Sequence, residues 1–217
     1  MNRRKILLGF VGGALASVLS APRRALAAGW KEISNKKGIR VFKRKPSGAS
    51  LYAFRGIGLI DAPLEKLLWV LNDSAHHTQW VDRLERSIVL ERKNAYDAVI
   101  YHHFDAPPII SDRDFVYRAR AHTRADGATV IRISSVQHAK APPTAGVRGE
   151  LKDTSYVLKP QGNKTLVDVT ILTDPKGSLP NWLINMISES WPRKTLTALG
   201  LQVKKPFVGS IAPPARS

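Results

Sequence analysis

The chain has 217 residues, a formal net charge of +17, an ordinary charged fraction of 24% and no cysteine. That length suits one domain able to bury a core unaided. Zero cysteines exclude disulfides, thiolate-bound metal or iron–sulfur centres, thiol catalysis and cysteine lipidation. The positive balance points to anionic partners such as lipid headgroups, nucleic acid or cell-envelope polymers, and says little about fold.

Residues 1–27 read as an export signal. Arg3, Arg4 and Lys5 form a basic start, Ile6 to Ala21 is uncharged and apolar, and Ala25-Leu26-Ala27 is an A-x-A cleavage pattern with Ala28 as the first mature residue. The apolar run is short and glycine-containing for a membrane span, which favours a cleaved signal over a permanent anchor. Arg3-Arg4 supplies a twin arginine but lacks the preceding Ser/Thr and following Phe, so the general secretory and twin-arginine routes both stay open. Cleavage would lower the formal charge from +17 to +12. An exported, periplasmic protein has little occasion to meet nucleic acid, so its basic surface is better matched to anionic lipid or envelope.

In the mature chain, Ile39 to Lys45 and Leu51 to Ile60 alternate as two strands around the Pro46-Ser47-Gly48 turn. Asp61 stands where an N-cap belongs and Pro63 suits the first turn of a helix that carries Leu64, Leu67, Leu68 and Leu71 at helical spacing. Three antiparallel pairs follow: Ser87–Arg92 with Asp97–Phe104, Asp114–His122 with Ala128–Ser135, and Glu150–Leu158 with Thr165–Thr173. A long helix closes the domain from about Leu179 to Val203, with one apolar stripe through Leu179, Trp182, Leu183, Met186 and Ile187 and another through Leu196, Leu199 and Val203. Pro192 is expected to kink or split it. Residues 206–217, with three prolines and no periodicity, read as a flexible tail. The order predicts an α+β fold, an antiparallel sheet curving around a long C-terminal helix and leaving a cavity between them. The domain spans 28–205.

Three segments carry a family resemblance across roughly Trp30 to Val203. They are Trp80-Val81-Asp82 after the first helix, Ser111-Asp112-Arg113-Asp114-Phe115-Val116 at a strand start, and Thr173-Asp174-Pro175-Lys176-Gly177-Ser178-Leu179-Pro180-Asn181-Trp182-Leu183-Ile184-Asn185 leading into the last helix. In order and on suitable elements, they resemble a START domain, the steroidogenic-acute-regulatory-related lipid-transfer family. The resemblance implies a helix-grip fold, shared with Bet v 1-like proteins, and a hydrophobic ligand between sheet and helix. In steroid-binding members an acid meets an arginine in the cavity. The matching positions here are His103 and Ala119, so that contact is absent and a sterol ligand is not assumed.

The residues also read on their own terms. Asp174 to Gly177 is a turn, with Gly177 free for positive φ, Ser178 is a candidate cap, and Pro180 suits a first helical turn. Trp182 either lies over the cavity mouth or packs the helix onto the sheet. Arg113 and Asp114 point to opposite faces of a strand, and structural ion contacts are favoured over ligand contact for both. Parity places Arg113, Phe115, Tyr117 and Ala119 on one face, with Tyr101 and His103 expected beside them. The expected ligand-facing set is Trp80, Tyr101, His103, Arg113, Phe115, Tyr117, Trp182, Leu183, Met186 and Ile187.

Rival chemistries are weaker. Neighbouring histidines in a strand diverge, so His102 and His103 do not easily share an ion, and none of the six histidines has H-x-x-x-H or H-x-E-x-H spacing. No G-x-S-x-G elbow is present. Asp112 and Asp114 share a strand face, but Arg113 and Arg118 favour ion pairing over acid–base work. No metal, cofactor or catalytic residue is assigned. The leading expectation is a monomeric soluble carrier of one lipid that touches anionic membranes transiently. The kinked helix near Pro192 or the Pro107–Asp112 loop would serve as its lid, and Arg193-Lys194 and Lys204-Lys205 are candidate headgroup contacts. An exported enzyme on a lipid-like substrate, with His103 as first suspect, and an envelope-binding sensor without transfer activity remain open.

Overall fold

Period-two patterning dominates the chain after Trp30, and strands dominate the computed structural model, which describes residues 29–106, 108 and 110–216. The export segment expected over 1–27 lies outside the described residues, as do Pro107 and Ile109 of the expected lid loop. The elements in order are β1 Lys31–Lys36, β2 Ile39–Arg44, β3 Ala53–Ile60, α1 Leu64–Asn72, a 3-10 turn Ser74–Gln79, β4 Leu84–Asn94, β5 Asp97–Phe104, β6 Arg113–Thr123, β7 Thr129–Ser135, β8 Val147–Arg148, β9 Glu150–Leu151, β10 Thr154–Gln161, β11 Lys164–Ile171, β12 Thr173–Asp174 and α2 Asn181–Gln202. β1 was not anticipated. Lys37 and Gly38 both take positive φ between β1 and β2, as a tight hairpin turn requires.

The main sheet runs β1-β2-β3-β11-β10-β7-β6-β5-β4, with β8 added parallel to β6. After β3 the chain crosses through α1 to the far edge, then returns strand by strand until β11 pairs with β3. β12 and β9 form a separate two-stranded ladder. α2 packs across one face of the sheet, as the sequence predicts.

The helix can approach because β3 gives way. A Cβ built on Gly56 would stand 2.7 Å from Cβ of Pro192, and one on Gly58 would stand 3.2 Å from Ile39. Pro192 is buried on this glycine shelf, followed by Leu196, Leu199 and Val203 against Val167 and Val169. The helix runs unbroken through Pro192, so the expected split does not occur. Tertiary packing holds the proline in place despite the helical hydrogen bond it removes. Both helices begin two residues later than predicted: Pro63 and Pro180 occupy the N-cap positions, neither Asp61 nor Ser178 caps, and Asp61 instead pairs with Lys164 at 3.3 Å.

The expected flexible tail is tied down through residue 216. Val208 is buried, Ile211 N–H donates to the Glu65 carbonyl, the Tyr96 hydroxyl donates to the Ala212 carbonyl, and Arg216 bridges to Thr123. Among the described residues no helix is long and apolar enough to cross a membrane.

Candidate functional site

Between the sheet and the N-terminal half of α2 lies a cavity of about 630 Å³. Its sheet wall carries His102, Phe104, Phe115, Tyr117, Ile133 and Tyr156, and its helix wall carries Ile184, Met186, Ile187 and Trp191. Trp80, Val81, Asp82 and Arg83 lie on the mouth side with Asp105, Ala106, Ile110 and Lys194. Mostly apolar walls with a few placed polar groups are the usual composition of a small-molecule site.

The polar floor is a directed chain of hydrogen bonds. His77 Nε2 lies 3.3 Å from the Leu71 carbonyl, which only accepts, so Nε2 carries the proton. His77 Nδ1 is then an acceptor and receives His102 Nε2–H at 3.2 Å. The Tyr117 hydroxyl lies 3.3 Å from His102 Nδ1, the nitrogen free to accept it, and 3.2 Å from Nε2. Ser87 Oγ lies 3.1 Å from His102 Nε2 and contacts Ser74 Oγ. Both imidazoles are buried, and burial holds them neutral: it lowers the His77 pKa to about 4 and that of His102 well below its ordinary value. Burial also raises the pKa of Tyr117 and Tyr156, so both phenols keep their protons.

Arg113 faces the cavity but spends its guanidinium on the backbone. It donates to the carbonyls of Pro175 at 3.2 Å and Lys176 at 3.3 Å, and to that of Ser111. This fork holds the turn that launches α2, in which Lys176 and Gly177 take positive φ. On the opposite face Asp114 is fully buried and accepts Arg148 Nε–H at 2.7 Å. Burial pushes its pKa up, the Arg148 hydrogen bond overcomes this, and the net shift is downward. The structural reading of Arg113 and Asp114 therefore describes their contacts, through different partners. Asp112 meets His103, and Arg118 is paired with Asp97 at 2.6 Å.

Of the expected ligand-facing residues, the structure brings Trp80, Arg113, Phe115, Tyr117, Met186 and Ile187 to the cavity. Tyr101 and His103 need correction. In the β5–β6 ladder His102 stands opposite Phe115 and Phe104 opposite Arg113, so the inward residues of β5 have even numbers. A one-residue error in register exchanges the two faces of a strand. Tyr101 instead packs with Leu90, Val99 and Val116 on the outer face. His103 also lies outside, between Asp112 at 3.0 Å and Glu85 at 3.3 Å. That position removes the enzyme alternative's first suspect from the cavity. Trp182 is 67% exposed and borders a shallow groove between α2 and β1–β2 rather than the cavity. Leu183 is half-buried and lines neither.

Sequence reasoning missed His77, His102, Phe104 and Tyr156. Tyr156 had a readable signal, since it alternates with the buried Thr154 and Leu158. His102 and Phe104 required the register. Among the described residues, Glu85, His103 and Asp112 are the one group able to present three ligand atoms to an ion, all within 4.8 Å of one another on the outer face.

Comparison with known proteins gives a consistent result. The START domain family model matches residues 13–192. An uncharacterized protein of Pseudomonas aeruginosa is 30% identical over 197 residues, covering 88% of this chain and 94% of that protein. Bovine phosphatidylcholine transfer protein is 26% identical over 169 residues, covering 75% of this chain and 78% of that protein. The crystal structure of a STAR-related lipid transfer protein fragment from Xanthomonas axonopodis superposes with a TM-score of 0.74 at 27% identity, covering 82% of this chain and 99% of that one. On its matched length, its relatives and its helix-grip architecture, the chain belongs to the START domain family.

Proposed function

We propose that this protein holds one lipid or other hydrophobic molecule in the cavity between sheet and α2 and carries it between membrane surfaces. The observation that carries this reading is the cavity itself, about 630 Å³ of mostly apolar space beneath one helix. Water is a poor solvent for a lipid tail, by about 0.8 kcal/mol per exposed CH₂, so an apolar site lowers the cost of leaving a bilayer. The names of the bovine and Xanthomonas relatives, both lipid transfer proteins, support the same reading.

The N-terminal half of α2 is the proposed lid and membrane-facing element. Trp182, Met186 and Ile187 are 67%, 58% and 47% exposed, with the cations of Arg193 and Lys194 about two to three turns further on. Exposed apolar side chains beside cations suit an anionic bilayer interface. Residues 1–27 are proposed as an export signal, which would place the carrier in the periplasm as a monomer.

The test is native mass spectrometry with organic extraction of protein purified without detergent. The expected result is one co-purifying lipid per chain. A protein that stays empty after exposure to total membrane extract would remove the carrier reading. An open cavity counts against the sensor alternative, which expects a filled one. A Streptomyces aromatase/cyclase shares the fold at 16% identity and a TM-score of 0.51, which bears on architecture alone.

A further inference from the structure

The outer face of the sheet, turned away from α2, carries charge that the fold leaves unbalanced. Strand register aligns Asp97, Arg120, Arg132, Ser155, Thr170 and Arg55 in one row across β5, β6, β7, β10, β11 and β3. Their chain neighbours Ala98, Ala119, Ile133, Tyr156, Val169 and Gly56 belong to the inner face, so the whole row looks outward.

The acids beside the row are already matched. Asp97 accepts Arg118 Nε–H at 2.6 Å and Nη2–H at 2.7 Å, which leaves Arg120 a longer approach of 3.4 Å. Asp168 is held by Arg55 through two hydrogen bonds. Arg132 is exposed and makes no hydrogen bond or ion pair among the described residues. Arg120, 62% exposed, stands directly opposite it in the β6–β7 ladder. Like charges in that relation destabilise a sheet, and an anion between them would turn the repulsion into attraction. Two guanidinium forks about 5 Å apart match the oxygens of a phosphate group, with the Ser155 hydroxyl on the other flank of Arg132.

The kind of partner follows from the make-up of the row. It contains no aromatic side chain, so it has neither the usual anchor of a protein interface nor a stacking platform for single-stranded nucleic acid. Its arginines and hydroxyls are spread across neighbouring strands about 4.8 Å apart, which suits a surface bearing many phosphates.

We propose that this outer arginine row docks on the phosphate groups of an anionic bilayer, giving the protein two membrane-binding faces, α2 on one side of the sheet and the β6–β7 row on the other. The proposal rests on the reading of α2 as a membrane-facing element and adds a second contact. Such a carrier can stay tethered to one bilayer through its sheet while α2 meets another.

The experiment mixes the full chain with phosphatidylglycerol vesicles and reads two quantities. Co-sedimentation needs one binding face, and vesicle clustering, followed by light scattering, needs both. The wild type should sediment with the vesicles and cluster them. Arg120→Gln/Arg132→Gln should still sediment through α2 but lose clustering, since each arginine near such a surface is worth about fivefold in affinity. Its melting temperature should equal or exceed the wild-type value, because the opposed pair is relieved. Arg132→Glu, placed to pair with Arg120, should raise the melting temperature and also abolish clustering, which separates the effect from a folding defect. Trp182→Ser/Met186→Ser should stop clustering by removing the other face. Clustering by the glutamine pair at the wild-type level, or a wild type that sediments without clustering, overturns the outer contact and leaves the carrier reading standing. Arginine-dependent binding of soluble polyphosphate without vesicle clustering overturns the bilayer as its occupant. If the wild type neither sediments nor clusters, the α2 reading falls with the inference.

Discussion

Removing Arg148 should expose how much of the outer wall rests on one buried charge. Asp114 has no exposed surface and accepts from Arg148 Nε at 2.7 Å and Nη2 at 3.3 Å, from the Ala145 N–H at 3.3 Å and from the Tyr101 hydroxyl at 3.4 Å. Arg148→Met keeps most of the side-chain volume and deletes the counter-charge. Breaking a buried pair from one side costs about 3–5 kcal/mol, because the remaining ion is left unpaired. The Arg148 side chain is 35% exposed, so water can reach its place and the lower end, about 3 kcal/mol, applies. At about 2–4 °C per kcal/mol for a domain of this size, the melting temperature should drop by about 6–12 °C at pH 7.

The pH dependence gives that prediction a second, independent reading. In the wild type the folded pKa of Asp114 lies below its ordinary value, so its contribution is complete above about pH 4 and is lost as the pH falls through the folded value. In the variant, only the hydrogen bonds from Ala145, Thr144 and Tyr101 still oppose burial, and the folded pKa rises above that of the wild type. Protonation then relieves the penalty, and the gap between variant and wild type should narrow from pH 7 to pH 4.5. Thermal unfolding by circular dichroism at both pH values measures it. A drop under about 2 °C, or a gap that does not change with pH, would refute the reasoning.

Gly56→Ala should lose about 1–3 kcal/mol in urea denaturation, because its Cβ would press into Pro192 at 2.7 Å and lift α2 from β3. His77 and His102 predict acid sensitivity. Their folded pKa values lie below the unfolded 6.5, so their stabilising effect is complete above that pH and erodes as the pH falls, to about 4 for His77. The His77 contribution alone amounts to at most about 3 kcal/mol. His102→Gln should flatten the stability profile between pH 6.5 and 4, and an unchanged slope would count against buried neutral imidazoles. The double variant Trp182→Ser/Met186→Ser should change stability by less than about 0.5 kcal/mol, since both side chains are more than half exposed. It should nonetheless weaken sedimentation with anionic vesicles. Undiminished vesicle binding would move the membrane contact off α2.

Much of this protein was legible in local chemistry. Alternation along Asp97–Phe104, Asp114–His122 and Thr165–Thr173 predicts strands, the leucine spacing from Leu64 predicts a helix, and proline and glycine mark the turns, because each signal depends on a few neighbouring residues. The Trp80, Arg113 and Asp174-to-Trp182 segments were enough to point to the family. The ordered course of residues 206–216 was not legible, since an aperiodic stretch carries no mark of the surface that receives it.

What only the tertiary structure decided was which side of each element faces which partner. Tyr101 and His102 are equally good strand residues. The β5–β6 register puts one under the outer loop and the other in the cavity floor, and a one-residue offset exchanges them. Arg113 reads as a ligand contact or an ion partner until the turn at Pro175 and Lys176 comes within its reach, 62 and 63 residues further on. Pro192 reads as a helix breaker until Gly56 supplies the space beneath it. The sequence by itself determined the elements and their order, because propensity and periodicity are local. Register, long-range hydrogen bonding and close packing join residues far apart in the chain, and those decided the cavity and its floor of buried histidines and tyrosines.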